Sequence, residues 1–291
     1  HESAAVWTIY HAIDSETANP FQAYQATRYV DTSIPHIPVT AHGLKENGYA
    51  TIATTNWLPY SWSINNVAFA EVMHTALSYF QAGRADAGYK LLKSSVLDGM
   101  YLGDSPGNFG QISFYDAARG ECYRDFGDPI GVASRVLIQG LFGILPDALN
   151  QQIILRPGFP DDWDKASVST PDINYRFTRK EDTDTYHITQ RFQTPLHPVL
   201  QINARKEKIR SVKVNGVPAT WQSIESAHGY PLLSIQAEGT SSTTITIEWE
   251  GASLHTLAVQ ELVIASNGKL ALQIPSGASI SQVYDPQSVL A

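Results

Sequence analysis

Near residue 150 the spacing of apolar side chains changes from three-and-four to two, and this switch constrains the fold more than any other feature of the chain. Helical periodicity followed by strand alternation is α+β order. Ahead of the switch, Trp62, Phe69, Met73, Ala76, Leu77 and Phe80 recur at helical intervals and predict a helix over 62–80. The short link "QAGRADAG" leads to a second helix carrying Ala85, Tyr89, Leu92 and Val96, which predicts an antiparallel hairpin. A third helix is predicted with Asp128 as N-cap and Pro129 at the first helical position, where a missing N–H costs nothing. Ile130, Val136, Leu137 and Leu141 line its apolar face, and Gly143 and Pro146 end it. Val6 to Ile13 and Phe21 to Val30 read as weaker helices, and "GYATIATTNW" as a strand.

Beyond the switch, seven short alternating segments, from "QQIILRPGF" to "TTITIEWEG", are separated by turn signals at the spacing of an antiparallel β-sandwich. "EDTDT" and "VNGVPA" read as hairpin turns. Three regions are therefore expected: helical over 1–150, sandwich over 151–254, and a β extension or the start of a further module over 255–291.

Composition narrows the function. With 43% hydrophobic and 16% charged residues the chain is globular. A net charge of -8 argues against a nucleic-acid partner, and no apolar run reaches the length of a membrane span. The single cysteine, Cys122, permits neither an internal disulfide nor a cysteine-based zinc site. No histidine pair has metal-ligand spacing, and no nucleotide, flavin or nucleophile-elbow motif is present, so neither a metal nor a cofactor is expected. The chain starts at His1 rather than Met, which suggests a processed or cut end.

Two stretches could carry chemistry. "TNWLPYSWSINN" sets Trp57 and Tyr60 beside Asn65 and Asn66, and aromatic platforms with amides suit sugars. The alternative is core tryptophans with helix-capping asparagines. "RGECYRDFGDPIG" holds Glu121, Asp125 and Asp128 with Arg119 and Arg124 interleaved. Glycoside hydrolysis needs two carboxyl groups, and flanking arginines keep one ionised. The alternative is an ion-pair cluster that ties down a loop, and for Asp128 helix capping suffices. His11 and Asp14 fall on one helix face.

The segment "WSINNVAFAEVMHTALSYFQAGRADAGYKLL" resembles the penultimate helical hairpin of (α/α) six-barrel glycosidases. "GNFG", "IGVASRVLIQGLFGILPD" and "IILRPGFPDDW" are similar to their last helix and the exit into a C-terminal sandwich. Family ninety-five fucosidases and bacterial α-L-rhamnosidases share this design. "QAYQATRYVD", "IPHIPV" and "RGECYRDFGDPIG" resemble a glycosidase-like family of unassigned activity from polysaccharide-degrading gut bacteria. The likeness covers roughly residues 20–165, and the sandwich only by architecture.

The resemblance implies that the chain is the last part of a twelve-helix barrel, acting on or binding carbohydrate. Asn65, Asn108 and Arg124 would then face the barrel mouth. The fucosidase-type acid before "GNFG" is replaced here by Pro106 and Gly107, so Glu121 and Asp125 become the relocated catalytic candidates. It also implies a periplasmic or cell-surface parent protein, and helices whose bare flank is covered by upstream barrel helices or a second copy. A non-catalytic carbohydrate-binding or structural module on the same scaffold is the alternative.

Overall fold

The computed structural model describes residues 3–57, 66–102, 114–115, 122–123, 127–224, 229–254, 267–269, 271, 280 and 283. They fall into two units, His1–Thr256 and Leu257–Ala291. In the second unit, Asn267 takes a left-handed turn conformation at φ 66°, and Ile280 and Val283 are exposed. None of the described helices is long and apolar enough to cross a membrane.

The first unit opens with helix α1 (Val6–Asp14), whose Val6, Ile9, Tyr10 and Ile13 are buried at helical spacing. Helix α2 (Pro20–Ser33) starts in a capping box: Gln22 N–H donates to Asn19 Oδ1 at 2.9 Å and Asn19 N–H to Gln22 Oε1 at 3.0 Å. Strands β1 (His36–Pro38) and β2 (Ala50–Ile52) pair antiparallel, as the Thr- and Ile-rich stretch predicts. Strand β3 (Val67–Ala68) precedes helix α3 (Phe69–Gln81), and helix α4 (Ala85–Val96) follows it. The helix expected over 62–80 thus begins only at Phe69. Val67 and Ala68 instead bond to strand β4 (Phe114–Tyr115), which pairs with β5 (Cys122–Tyr123). Strand pairing overrides the helical spacing there.

The chain then enters helix α5 (Asp128–Arg135), continued by a π-helical turn over Val136–Leu141. Asp128, expected as the cap, is itself the first helical residue. Gly127 holds the cap position, and no side chain caps the helix. The expected apolar face is buried only in part. Val136, Gly140 and Leu141 are buried, while Ile130 and Leu137, expected on the same face, are 51% and 40% exposed.

Pro146 does not end a helix. It lies in strand β6 (Ile144–Asp147), an edge strand, where a missing N–H is tolerated. Next come β7 (Gln152–Leu155), β8 (Lys165–Ser169), β9 (Ile173–Lys180), β10 (Thr183–Gln190), β11 (His197–Asn203) and β12 (Lys206–Val214). The last four are β13 (Val217–Pro218), β14 (Gln222–Ile224), β15 (Leu232–Gln236) and β16 (Ser242–Ser253). One sheet runs β13-β12-β16-β10-β9-β8 and the other β14-β15-β11-β7-β6. All seven segments read from the sequence are strands. β8 escapes the reading because it is a polar edge strand with nothing fully buried. Pairing is antiparallel except for β7 with β11, which a long crossover connects in parallel. Asn215 and Gly216, at φ 51° and 81°, turn the chain from β12 to β13.

Alternate residues of both sheets enter one core with the helices, among them Tyr175, Phe177, Ile188, Leu200, Ile235 and Trp249. Helix α3 is buried on nearly all sides, which marks it as the central helix. Its far end is clamped to α2 and α4 by polar groups: the Tyr79 hydroxyl donates to Asp31 at 2.5 Å, and Arg84 pairs with Asp31 at 2.6 Å.

Phe80, also on α3, joins helices to sheets. A Cβ on Gly158 would lie 2.3 Å from its Cδ1, and one on Gly140 would lie 2.6 Å from its Cδ2. Two backbone segments therefore close on opposite edges of one ring, which only glycine permits. Gly158 N–H also donates to Leu141 O at 3.0 Å, so neither segment can withdraw without breaking the other. Gly158→Ala should cost about 1–3 kcal/mol by overpacking, measured as a lowered urea midpoint at unchanged slope. Phe80→Leu in the same chain should recover part of that loss. Equal, additive losses would show that the ring and the glycine do not interact.

Candidate functional site

Of the residues proposed from sequence, Trp57 and Asn66 are described; Tyr60, Asn65, Asn108, Glu121, Arg124 and Asp125 lie outside the described residues. Trp57 is half buried. Its indole N–H donates to Ser3 Oγ at 2.7 Å, and its ring meets Trp7 edge-on at 6.0 Å. Asn66 is buried at the entry to α3. Its backbone carbonyl accepts from Thr54 N–H at 2.8 Å, and Thr54 O accepts from Val6 N–H at 3.0 Å. This junction ties the starts of α1 and α3 together. The strand β5, flanked in sequence by Glu121 and Arg124, is linked through β4 to β3 at the same entry.

A group of ionisable side chains lies elsewhere, on α1, α3 and α5. Tyr10 and Asp14 are four apart on α1, Glu71 and His74 three apart on α3, and Asp128 and Arg135 seven apart on α5, so each pair shares a helix face. The Tyr10 hydroxyl donates to Glu71 Oε2 at 2.5 Å, and the His74 ring stacks on Tyr10 at 4.6 Å with 14° between planes. One turn further along α1, Asp14 takes a bidentate pair from Arg135 at 2.8 and 2.6 Å, and a third bond from Gln81 Nε2 at 3.0 Å. The early residues of α1 thus meet early α3 and the later ones meet its end, so these two helices run in the same sense. Arg135, at the end of α5, reaches Asp14 beside Gln81, the last residue of α3.

Environment separates the groups. Burial, then the hydrogen bond to Glu71, pushes the Tyr10 phenol well above its ordinary range, so it stays a donor. Burial, then the Arg135 cation, lowers the pKa of His74, which keeps the imidazole neutral at pH 7. Burial opposes the charge on Asp14, but the bonds from Arg135 and Gln81 outweigh it and hold the carboxylate below its usual range. Asp128 shifts the other way. Although much of the residue is exposed, the desolvation its carboxyl does suffer raises its pKa. The surroundings thus favour the anion at Asp14 and the protonated form at Asp128.

The sequence reading singled out Asp14, together with His11, and Asp128, the latter chiefly as a helix cap. The remaining members were legible as polar residues at i, i+3 or i+4 inside apolar helices, but not as neighbours. Among the described residues no three His, Cys, Asp or Glu side chains come together as metal ligands.

The Asp14–Arg135 pair makes a pH prediction. The folded pKa of Asp14 lies below its unfolded value of about 3.9. Its contribution is therefore complete above that value and lost as pH falls through the folded pKa. After allowance for solvent screening, the pair should stabilise the fold by about 1 kcal/mol at pH 7. A double-mutant cycle of Asp14→Asn and Arg135→Gln, read by urea unfolding at pH 7 and pH 3, should show coupling that shrinks at the lower pH. Coupling unchanged between the two would contradict the pair.

No protein-family model matches the chain, and no curated protein matches it. Among solved structures it is similar to the α-L-rhamnosidase from Dictyoglumus thermophilum, with a TM-score of 0.39 and 11% identity over 62% of this chain and 21% of that one. It is also similar to a protein described as a glycoside hydrolase, with a TM-score of 0.31 and 11% identity over 74% of this chain and 38% of the other. A third is the GH127 β-L-arabinofuranosidase from Geobacillus stearothermophilus T6, with a TM-score of 0.29 and 9% identity over 63% of this chain and 32% of that enzyme. All three are glycoside hydrolases, and this chain spans well under half the length of each. Likeness at this level leaves the reading of the site to its own geometry.

Proposed function

We propose that this chain is the C-terminal part of a glycoside hydrolase built as an (α/α) barrel followed by a β-sandwich, with sugar handled at the face shared by α1, α3 and α5. The observation that carries this is the opposed state of two carboxyls on that face: Asp14 held ionised and Asp128 pushed toward its acid form. Protonating a leaving oxygen needs the second kind of group, and stabilising positive charge at the sugar needs the first. Glu71, bonded to Tyr10, is a further acceptor on the same face. Glu121 and Asp125 remain candidates of equal standing, because β5 joins the sheet that leads into α3. Trp57, Tyr60, Asn65, Asn66, Asn108 and Arg124 are the sugar-binding candidates. The parent protein is read as periplasmic or cell-surface. Ile130 on α5 and Leu137 on the π turn that continues it, both exposed, are read as the edge covered by further barrel helices or a second copy.

One observation favours a second reading. All three bonds to Asp14 are of the kind that lock helices together, which suits a scaffold that binds carbohydrate without cleaving it. Reducing-sugar release from a panel of plant and host polysaccharides separates the two. Asp128→Asn should lower turnover by roughly 10²–10⁴-fold, the usual size of a general-acid contribution, with Glu121→Gln and Asp125→Asn assayed alongside. Binding of a glycan with no turnover selects the scaffold reading. Turnover untouched by all three substitutions overturns the assignment of the acid.

A further inference from the structure

A concave site lies in the sheet region, far along the chain from the carboxyls of α1, α3 and α5. It is a cleft of ≈ 390 Å³ where the ends of β9, β10 and β11 meet the loop around Asp161. Beneath it Asp184, 1% exposed, accepts from Arg179 Nε at 2.9 Å and from Trp249 Nε1 at 3.0 Å. Arg205 Nε sits 3.5 Å from the same carboxylate. Both guanidiniums are thereby fixed in place, and their other bonds are to backbone: Arg179 Nη1 to Asp161 O and Arg205 Nη2 to Glu181 O, each at 2.9 Å.

These bonds leave two guanidinium nitrogens, Arg179 Nη2 and Arg205 Nη1, without a protein partner among the described residues. Arg205 Nε is buried and makes no hydrogen bond. At the rim stand the exposed carboxylate of Asp161 and the half-buried Tyr230, whose hydroxyl reaches Asp161 Oδ2 at a long 3.4 Å. Phe159, half buried, supplies an apolar wall.

The charges on Arg179, Arg205, Asp161 and Asp184 sum to zero, so the cleft does not select an anion. It offers fixed donors, a carboxylate whose Oδ1 has no partner among the described residues, and aromatic surface within a volume that holds one or two sugar rings. Neighbouring hydroxyls on a ring present paired donors and acceptors at the spacing that guanidinium and carboxylate groups match. We infer that this cleft is a binding site for a neutral saccharide unit, separate from the helical carboxyl face. The choice of ligand rests on the carbohydrate reading above; the existence of the site rests on the cleft alone.

The test is calorimetric titration of the full chain with methyl glycosides of common hexoses, pentoses and deoxyhexoses, and with galacturonate as the acidic probe. The indole N–H signal of Trp249, bonded to Asp184 under the cleft, locates any binding by NMR. At least one neutral glycoside should bind and shift that signal, and Asp161→Asn and Tyr230→Ala should each weaken it at least tenfold. Both substitutions are at the rim and leave the Asp184 cluster intact; urea midpoints confirm that each variant is folded. Binding should survive Asp128→Asn unchanged, so loss of turnover and loss of this site are read separately. Overturning results are no binding by any neutral glycoside, binding of galacturonate alone, or binding that ignores both rim substitutions.

Discussion

Phe80 is gripped edge to edge by Gly140 and Gly158, and much of the molecule's order follows from that contact. Gly140 belongs to the π turn after α5 and Gly158 to the segment leaving β7, so the ring fixes α3 against both. Its neighbour Tyr79 holds α2 and α4 through Asp31 and Arg84. Two adjacent residues of one helix thus lock the sheets on one side and the outer helices on the other. A packed interior transmits such constraints because it has little free volume to absorb a shift.

With α3 immobile, the side chains nearer its start have fixed positions. Glu71 and His74 meet Tyr10 of α1, and Arg135 of α5 spans to Asp14. The resulting face is polar where a bundle of three helices would ordinarily be apolar. Desolvation acts on both Asp14 and Asp128, yet the outcome differs with the partner. Asp14 has a bidentate arginine that holds it below the usual carboxylate range, whereas Asp128 has no arginine partner among the described residues and its pKa is raised. The same contrast recurs among the sheets. Asp184 is almost wholly buried but carries an arginine and an indole N–H. Burial of a carboxylate is tolerable only when its lone pairs are filled. At Asp184 the filling groups are themselves held by bonds to backbone carbonyls, Arg179 to Asp161 O and Arg205 to Glu181 O.

Most of the architecture was readable from spacing. The α+β order, the hairpin of α3 and α4, and seven strands follow from where apolar residues recur. Errors fell where a local signal met a tertiary one. Asp128-Pro129 reads as a cap, but the helix starts a residue earlier because Gly127 takes the cap position. Ile130 and Leu137 read as core, but of the expected face only Val136 and Leu141 are buried. Pro146 reads as a stop, but at a sheet edge it is an ordinary strand residue. None of these differences is visible in a window of a few residues.

The ionisable groups show the limit most clearly. The sequence by itself determined which residues share a face of each helix, because a helix repeats every 3.6 residues whatever surrounds it. It also determined the alternation that builds two sheets around one core. Which faces meet is a matter of contacts between residues up to 121 positions apart, such as Asp14 with Arg135, and no local period encodes them. The tertiary structure alone decided that Asp14 would be charged, that Asp128 would hold its proton longer, and that Arg179 and Arg205 would share one buried carboxylate. A pKa and a hydrogen-bond vacancy are properties of the surroundings, and the surroundings exist only once the chain has folded.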